Sequence, residues 1–92
     1  MSTFTFITHY KGGISTRQVR AAELKEACRK WAEDTLSLED IPYIDTTAFI
    51  RDFSASIDDT NPTPIDASVN LWLMTFLTGG KTMWTHIIKT VA

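Results

Sequence analysis

The chain has 92 residues, of which 43% are hydrophobic and 11% aromatic, and its 9 basic and 11 acidic residues give a formal net charge of −2. This length allows one domain, and this composition excludes an intrinsically disordered chain. The slight acidic excess also argues against a nucleic-acid-binding protein, which normally carries a basic stripe.

The cysteine content and the start of the chain bear on the compartment. A single cysteine, Cys28, excludes an internal disulfide and a multi-cysteine zinc site, as is typical of a reducing environment. The start "MSTFTFITHYKGG" lacks the basic and apolar regions of a secretory signal, and no apolar run is long enough to span a membrane. We therefore expect a cytoplasmic protein with a single domain over residues 1–92.

The first segment predicts a β-hairpin. Residues 3–10 alternate with the period of a strand, and Gly12-Gly13 predicts a two-residue turn into a return strand over residues 14–20. This register places Phe6 opposite Val19. Because the return strand is the more polar of the two, we expect it at an edge of the sheet or on a solvent face.

The next segment changes to the period of a helix. In "AAELKEACRKWAEDT", residues 21–35, the apolar positions recur at helical spacing: Leu24, Ala27, Cys28, Trp31 and Thr35. Such a stripe predicts a helix packed on the sheet. Cys28 lies on the stripe, so a buried structural thiol is favoured over a catalytic nucleophile.

The middle of the chain allows two interpretations. After the connector "SLEDIPYID", a second helix is expected from Asp45 or Thr46, with three buried side chains: Phe49, Ile50 and Phe53. Several apolar residues between 49 and 57 also alternate with the period of a strand, so the sequence does not decide between a helix and a strand there. Residues 58–68, "DDTNPTPIDAS", predict a loop, in which the calcium-binding spacing of acidic residues is absent.

A second hairpin is predicted near the end of the chain. The stretches "VNLWLMTFL" and "KTMWTHIIKTV" flank Gly79-Gly80. The letters "LTGGKT" match the end of a phosphate-binding loop, but Thr75 stands where that motif needs its first glycine. The residues after Lys81 are typical of a strand and not of the helix that such a loop must open. We therefore interpret this stretch as a turn.

Both faces of the second hairpin are apolar. The first face carries Trp72, Met74, Phe76 and Met83, and the second carries Leu73, Leu77 and Trp84. Two short helices cover only one side of a four-stranded sheet, so one apolar face is expected to remain available to a partner. We expect that interface to include Trp72, Met74, Phe76, Met83 and Trp84, and the sequence leaves open which of the two faces is bare. The alternative is that the loop or the last residues cover this face.

The chain resembles a group of small uncharacterised bacterial proteins with the element order β-β-α-α-β-β. The resemblance is carried by "FTFITHYKGGISTRQVRA", "AELKEACRKWAED", "NLW", "GGK" and "IIKT". It implies a bacterial source and transfers no catalytic residue.

The sequence contains no recognisable catalytic or metal-binding motif. His9 and His86 are the only imidazoles and show no metal-binding spacing, so polar residues on strands are favoured. Basic and aromatic residues of the first hairpin suggest only a weak nucleic-acid surface: Phe6, Tyr10, Lys11, Arg17 and Arg20. We predict no enzyme, no cofactor and no metal.

The fold prediction is a single α+β domain with an antiparallel sheet of about four strands and two helices mainly on one face. The leading function is a non-enzymatic protein-interaction module that forms a homodimer or binds another protein, including the hypothesis of an immunity protein that neutralises a bacterial toxin. The alternative is a domain that binds a small ligand or nucleic acid.

Overall fold

The computed structural model describes residues 1–38, 41, 44–59, 62–65 and 70–90. In chain order the elements are β1 (Ser2–Tyr10), β2 (Gly13–Ala21), α1 (Leu24–Leu38), α2 (Thr46–Asp59), β3 (Thr63–Pro64), β4 (Leu71–Thr78) and β5 (Lys81–Thr90). The α+β class and the antiparallel sheet are confirmed.

Within the described residues the sheet has five strands in the order β2-β1-β5-β4-β3, so the expectation of about four strands is wrong. The additional strand, β3, pairs Thr63 with Leu73 and Pro64 with Trp72 at the edge of the sheet. An edge is where proline is tolerated, because its missing N–H removes no central hydrogen bond. The predicted loop over 58–68 is corrected accordingly, since α2 also continues to Asp59. Asn61 and Asp66, two residues of this segment with side-chain oxygens that could bind calcium, lie outside the described residues.

The first hairpin forms with a turn one residue earlier than predicted. Its loop is Lys11-Gly12, with positive φ angles of 48° and 80°, as a two-residue hairpin turn requires. Phe6 therefore lies opposite Arg17 and not Val19. The partner shifts by two positions, which keeps every side chain on its predicted face, so the apolar pattern alone does not distinguish the two registers. As expected, β2 lies at an edge.

The second hairpin has the predicted register. Thr78 pairs with Lys81 and Phe76 with Met83 across a turn at Gly79 and Gly80, whose φ angles are 58° and 78°. The segment "LTGGKT" is thus a hairpin turn between two strands, and Lys81 begins β5 and not the helix that a phosphate-binding loop must open.

Helix α2 begins where the capping signal indicates. The Asp45 Oδ1 atom accepts a hydrogen bond from the Ala48 N–H at 3.1 Å, and the Asp45 carbonyl accepts from the Phe49 N–H at 2.8 Å. An N-cap aspartate satisfies N–H groups that otherwise lack partners in the first turn. Residues 49–57 are therefore helix, and the strand alternative is wrong.

One predicted core residue of α2 is exposed. Phe49 and Phe53 are buried, whereas Ile50 is 52% exposed. Phe49 and Phe53 are four positions apart and share a helix face, while Ile50 is rotated about 100° from Phe49. The prediction that Ile50 is buried was wrong for this reason.

An aromatic cluster attaches both helices to one face of the sheet. The Trp31 ring of α1 stacks on Phe6 with centroids 5.3 Å apart and meets the edge of Phe49 at 5.7 Å. Phe49 of α2 in turn contacts Phe76 of β4 at 5.9 Å. Burying a side chain of this size contributes roughly 1.5–3 kcal/mol. The cluster fixes the helices on this side and leaves the opposite side of the sheet without a described helix.

Candidate functional site

The side of the sheet opposite the helices is the candidate site. It is formed by the odd-numbered residues of β1 and β4 and the even-numbered residues of β2 and β5, which the strand pairing places side by side. We call it the helix-free face. An antiparallel sheet with one covered side normally presents polar side chains on the other.

Instead, large apolar side chains are exposed on this face. Ile14 is 66% exposed, Leu77 64%, Trp84 49% and Ile88 37%. Leu77 on β4 lies diagonal to Trp84 on β5, and Ile88 lies beside Leu71 farther along the same two strands. Single exposed apolar residues are ordinary, but Leu77, Trp84 and Ile88 lie on the adjacent strands β4 and β5, a grouping typical of an interaction site. Ile14 lies on β2, with His9 of β1 between it and Trp84.

Charge is almost absent from the helix-free face. Among its described residues, Arg20 alone carries a permanent charge, and none of them has a carboxylate. Arg20 lies on the edge strand β2, opposite Thr3 at the start of β1. The remaining polar groups are mainly threonine hydroxyls. Depletion of charged residues is the compositional mark of the centre of a protein interface.

Two imidazoles lie near the middle of the face. His9 on β1 pairs with Trp84 and His86 on β5 pairs with Ile7, which makes the two histidines diagonal neighbours. Their ring centroids are 6.1 Å apart and their planes meet at 80°. Sequence reasoning missed this pair because it depends on pairing between strands from opposite ends of the chain. No short spacing signals it.

The structure places four residues of the expected interface on the side of the sheet that the helices cover. Met83 is 0% and Met74 3% exposed, so both belong to the core beneath the helices. Trp72 and Phe76 are partly buried and pack against that core. The Phe76 ring contacts Phe49 and Phe53 of α2, and the Trp72 ring contacts Phe4 of β1. The cover over this face therefore includes a helix, whereas the alternative drawn from the sequence assigned it to the loop or the last residues. Trp84, by contrast, lies on the helix-free face.

The basic and aromatic cluster expected on the first hairpin does not form a stacking surface. Phe6 is 0% and Tyr10 2% exposed, so neither ring is open to a nucleic-acid base. The Lys11 ammonium lies 5.3 Å from the centroid of the Tyr10 ring.

Cys28 is buried, as predicted. Burial disfavours the thiolate and raises the pKa of Cys28 to about 12, so the thiol has the character of a structural residue.

Two further features are absent from the described part of the chain. No three or more His, Cys, Asp or Glu side chains gather there into a group that holds a metal ion. None of the described helices is both long and apolar enough to cross a membrane.

Comparison of the chain with protein-family models, with curated proteins and with solved structures finds no match. The resemblance to small bacterial proteins therefore gains no support from these comparisons. The case for a function rests on the helix-free face itself.

Proposed function

We propose that this protein is a non-enzymatic interaction module that self-associates by packing its helix-free face against the same face of a second copy. The observation that carries the proposal is the group of exposed apolar side chains on a sheet face with almost no charge: Ile14, Leu77, Trp84 and Ile88. Symmetric dimers are the commonest soluble oligomers, and in them one patch meets itself.

The area of the face is compatible with a specific dimer. Four long strands about 4.8 Å apart, each with about eight residues rising 3.3 Å, cover a projected area of roughly 500 Å². Two copies facing each other then bury about 1,000 Å² or more, the lower bound for a specific interface.

Burial of these apolar side chains is the free-energy contribution that opposes the cost of association. Complete burial of a Leu, Ile or Val side chain contributes roughly 1.5–3 kcal/mol, against an association cost of about 4–15 kcal/mol. Trp84 is the strongest anchor, because tryptophan dominates the binding energy of many interfaces and this ring is 49% exposed.

The charge distribution favours a second copy over a charged partner. Arg20 lies at one corner of the face, so a twofold axis through the middle places the two Arg20 side chains at opposite rims. A basic toxin would need carboxylates to pair with, and the described part of the face offers none. A nucleic acid would need several cations, and only Arg20 is available there.

The test compares lysine substitutions on and off the face. Trp84→Lys and Leu77→Lys place a charge in the proposed interface, whereas Ile50→Lys places the same charge on the exposed side of α2. We expect light scattering to give a concentration-dependent dimer for the wild type and for Ile50→Lys. The two face variants are expected to be monomers with unchanged circular dichroism, because an unpaired charge opposes burial.

A wild type that stays monomeric up to millimolar concentration contradicts self-association. A dimer that survives both Trp84→Lys and Leu77→Lys places the interface elsewhere on the molecule.

A further inference from the structure

The second feature of the helix-free face is its pair of imidazoles. We propose that His9 and His86 together bind one divalent transition-metal ion of the zinc class. Zinc, copper and nickel are the ions that imidazole nitrogens prefer, and the described part of the face has no carboxylate that would favour a hard ion such as Mg²⁺.

The spacing of the rings fits a shared ion. With zinc–nitrogen bonds of about 2.0–2.1 Å and tetrahedral geometry, the centroids of two imidazoles on one ion lie roughly 5–5.5 Å apart. The His9 and His86 centroids are 6.1 Å apart, slightly farther than this, so sharing an ion requires the two side chains to rotate toward it.

The backbone beneath the two rings is ordered and both rings are accessible. β1 and β5 are interior strands of the sheet, and they pair continuously from Thr3–Thr90 to His9–Trp84. His9 is exposed and His86 is half-buried. An ion approaching from solvent thus meets two ligands held on a preformed scaffold, which reduces the ordering cost of binding.

Two protein ligands leave coordination positions open, and water fills them in a single copy. In a dimer formed through this face, the same pair from the second copy would lie near the twofold axis and could complete the coordination. The proposal stands on one chain and does not require self-association.

Calorimetric titration of the full chain with Zn²⁺ tests the site. We expect saturable binding of Zn²⁺, no binding of Mg²⁺, and a loss of affinity of about tenfold or more in His9→Gln and in His86→Gln, since each removes one of two ligands. Thr75→Gln is the matched control, because it adds the same side chain beside Trp84 and leaves both imidazoles in place.

Circular dichroism establishes that each variant is folded. Absence of saturable Zn²⁺ binding overturns the proposal, as does equal binding by the wild type and both histidine variants. A dimer that persists in EDTA without any Zn²⁺ binding overturns the metal site while self-association stands. One ion per chain supports the site alone, and one ion per two chains supports the site and places it between two copies.

Discussion

The Tyr10 hydroxyl donates a buried hydrogen bond of 2.7 Å to the backbone carbonyl of Thr78. Tyr10 ends β1 and Thr78 ends β4, and these two strands are separated in the sheet by β5. The bond therefore joins the first hairpin to the turn of the second on the side covered by the helices.

Removing this hydroxyl tests its contribution to stability. We expect Tyr10→Phe to lower the free energy of unfolding by about 1–2 kcal/mol, because the Thr78 carbonyl keeps its buried position and loses a donor. Urea unfolding followed by tryptophan fluorescence measures the change. An unchanged midpoint and slope would show that the bond contributes nothing net.

The same turn gives a prediction about two neighbouring glycines. Both have positive φ angles, 58° at Gly79 and 78° at Gly80, so alanine is strained at either position. A Cβ atom at Gly79 would lie 2.9 Å from the Tyr10 hydroxyl oxygen, whereas a Cβ at Gly80 meets nothing within 4 Å. We expect Gly80→Ala to cost about 1–2 kcal/mol and Gly79→Ala to cost more, because only the latter also displaces the hydroxyl.

A double-mutant cycle separates strain from contact in this prediction. In a Tyr10→Phe background the Gly79→Ala and Gly80→Ala variants should unfold at similar urea concentrations, because the atom that the new methyl group meets is gone. If the difference between the two glycine variants is unchanged in that background, the contact with Tyr10 does not cause it.

Most of the fold was predictable from local patterns. The second hairpin has the predicted register because both of its adjacent glycines, Gly79 and Gly80, adopt the positive φ angles of a two-residue turn. The start of α2 followed from the capping chemistry of Asp45. In the first hairpin Lys11 adopts a positive φ that sequence rules assign to glycine, and so the turn was placed one residue late.

The candidate site was less predictable because it depends on tertiary pairing. Both faces of β4 are apolar, so the sequence did not decide which one the helices cover. That choice depends on the aromatic contacts of Trp31, Phe49 and Phe53, which lie on other elements. The neighbourhood of His9 and His86 arises only when β1 pairs with β5.

The cap of α2 is expected to be important for stability. Asp45→Ala removes the oxygen that accepts from the Ala48 N–H and should lower the free energy of unfolding by about 0.5–2 kcal/mol. Asp45→Asn is the control, since its amide oxygen is an equally good N-cap acceptor, and it should stay near wild type. Chemical unfolding of the three proteins measures both effects. If Asp45→Ala and Asp45→Asn lower the free energy of unfolding equally, the effect comes from the charge of Asp45 and not from its capping hydrogen bond.

The buried thiol of Cys28 is expected to be unreactive in the folded protein. Its pKa is raised to about 12 by burial, so at pH 8 almost no thiolate is present and the side chain is closed to reagents. Labelling with a chromogenic disulfide should be slow in buffer and immediate in guanidinium chloride. Glu33→Cys in a Cys28→Ala background is the matched control, because residue 33 is on the exposed side of the same helix and should label rapidly.

Cys28 also predicts the direction of a pH effect. A pKa near 9.0 in the unfolded chain and about 12 in the folded protein means that only the unfolded state ionises between these values. Ionisation then draws the equilibrium toward unfolding, so the contribution of Cys28 to stability is complete below pH 9 and decreases as the pH rises toward 12. Comparison of wild type with Cys28→Ala from pH 8 to pH 11 isolates the contribution of Cys28 to the unfolding free energy, because the lysines and tyrosines titrate in both proteins. Their difference in unfolding free energy should shrink as the pH rises, and a constant difference would mean that the thiol ionises equally easily in the folded state.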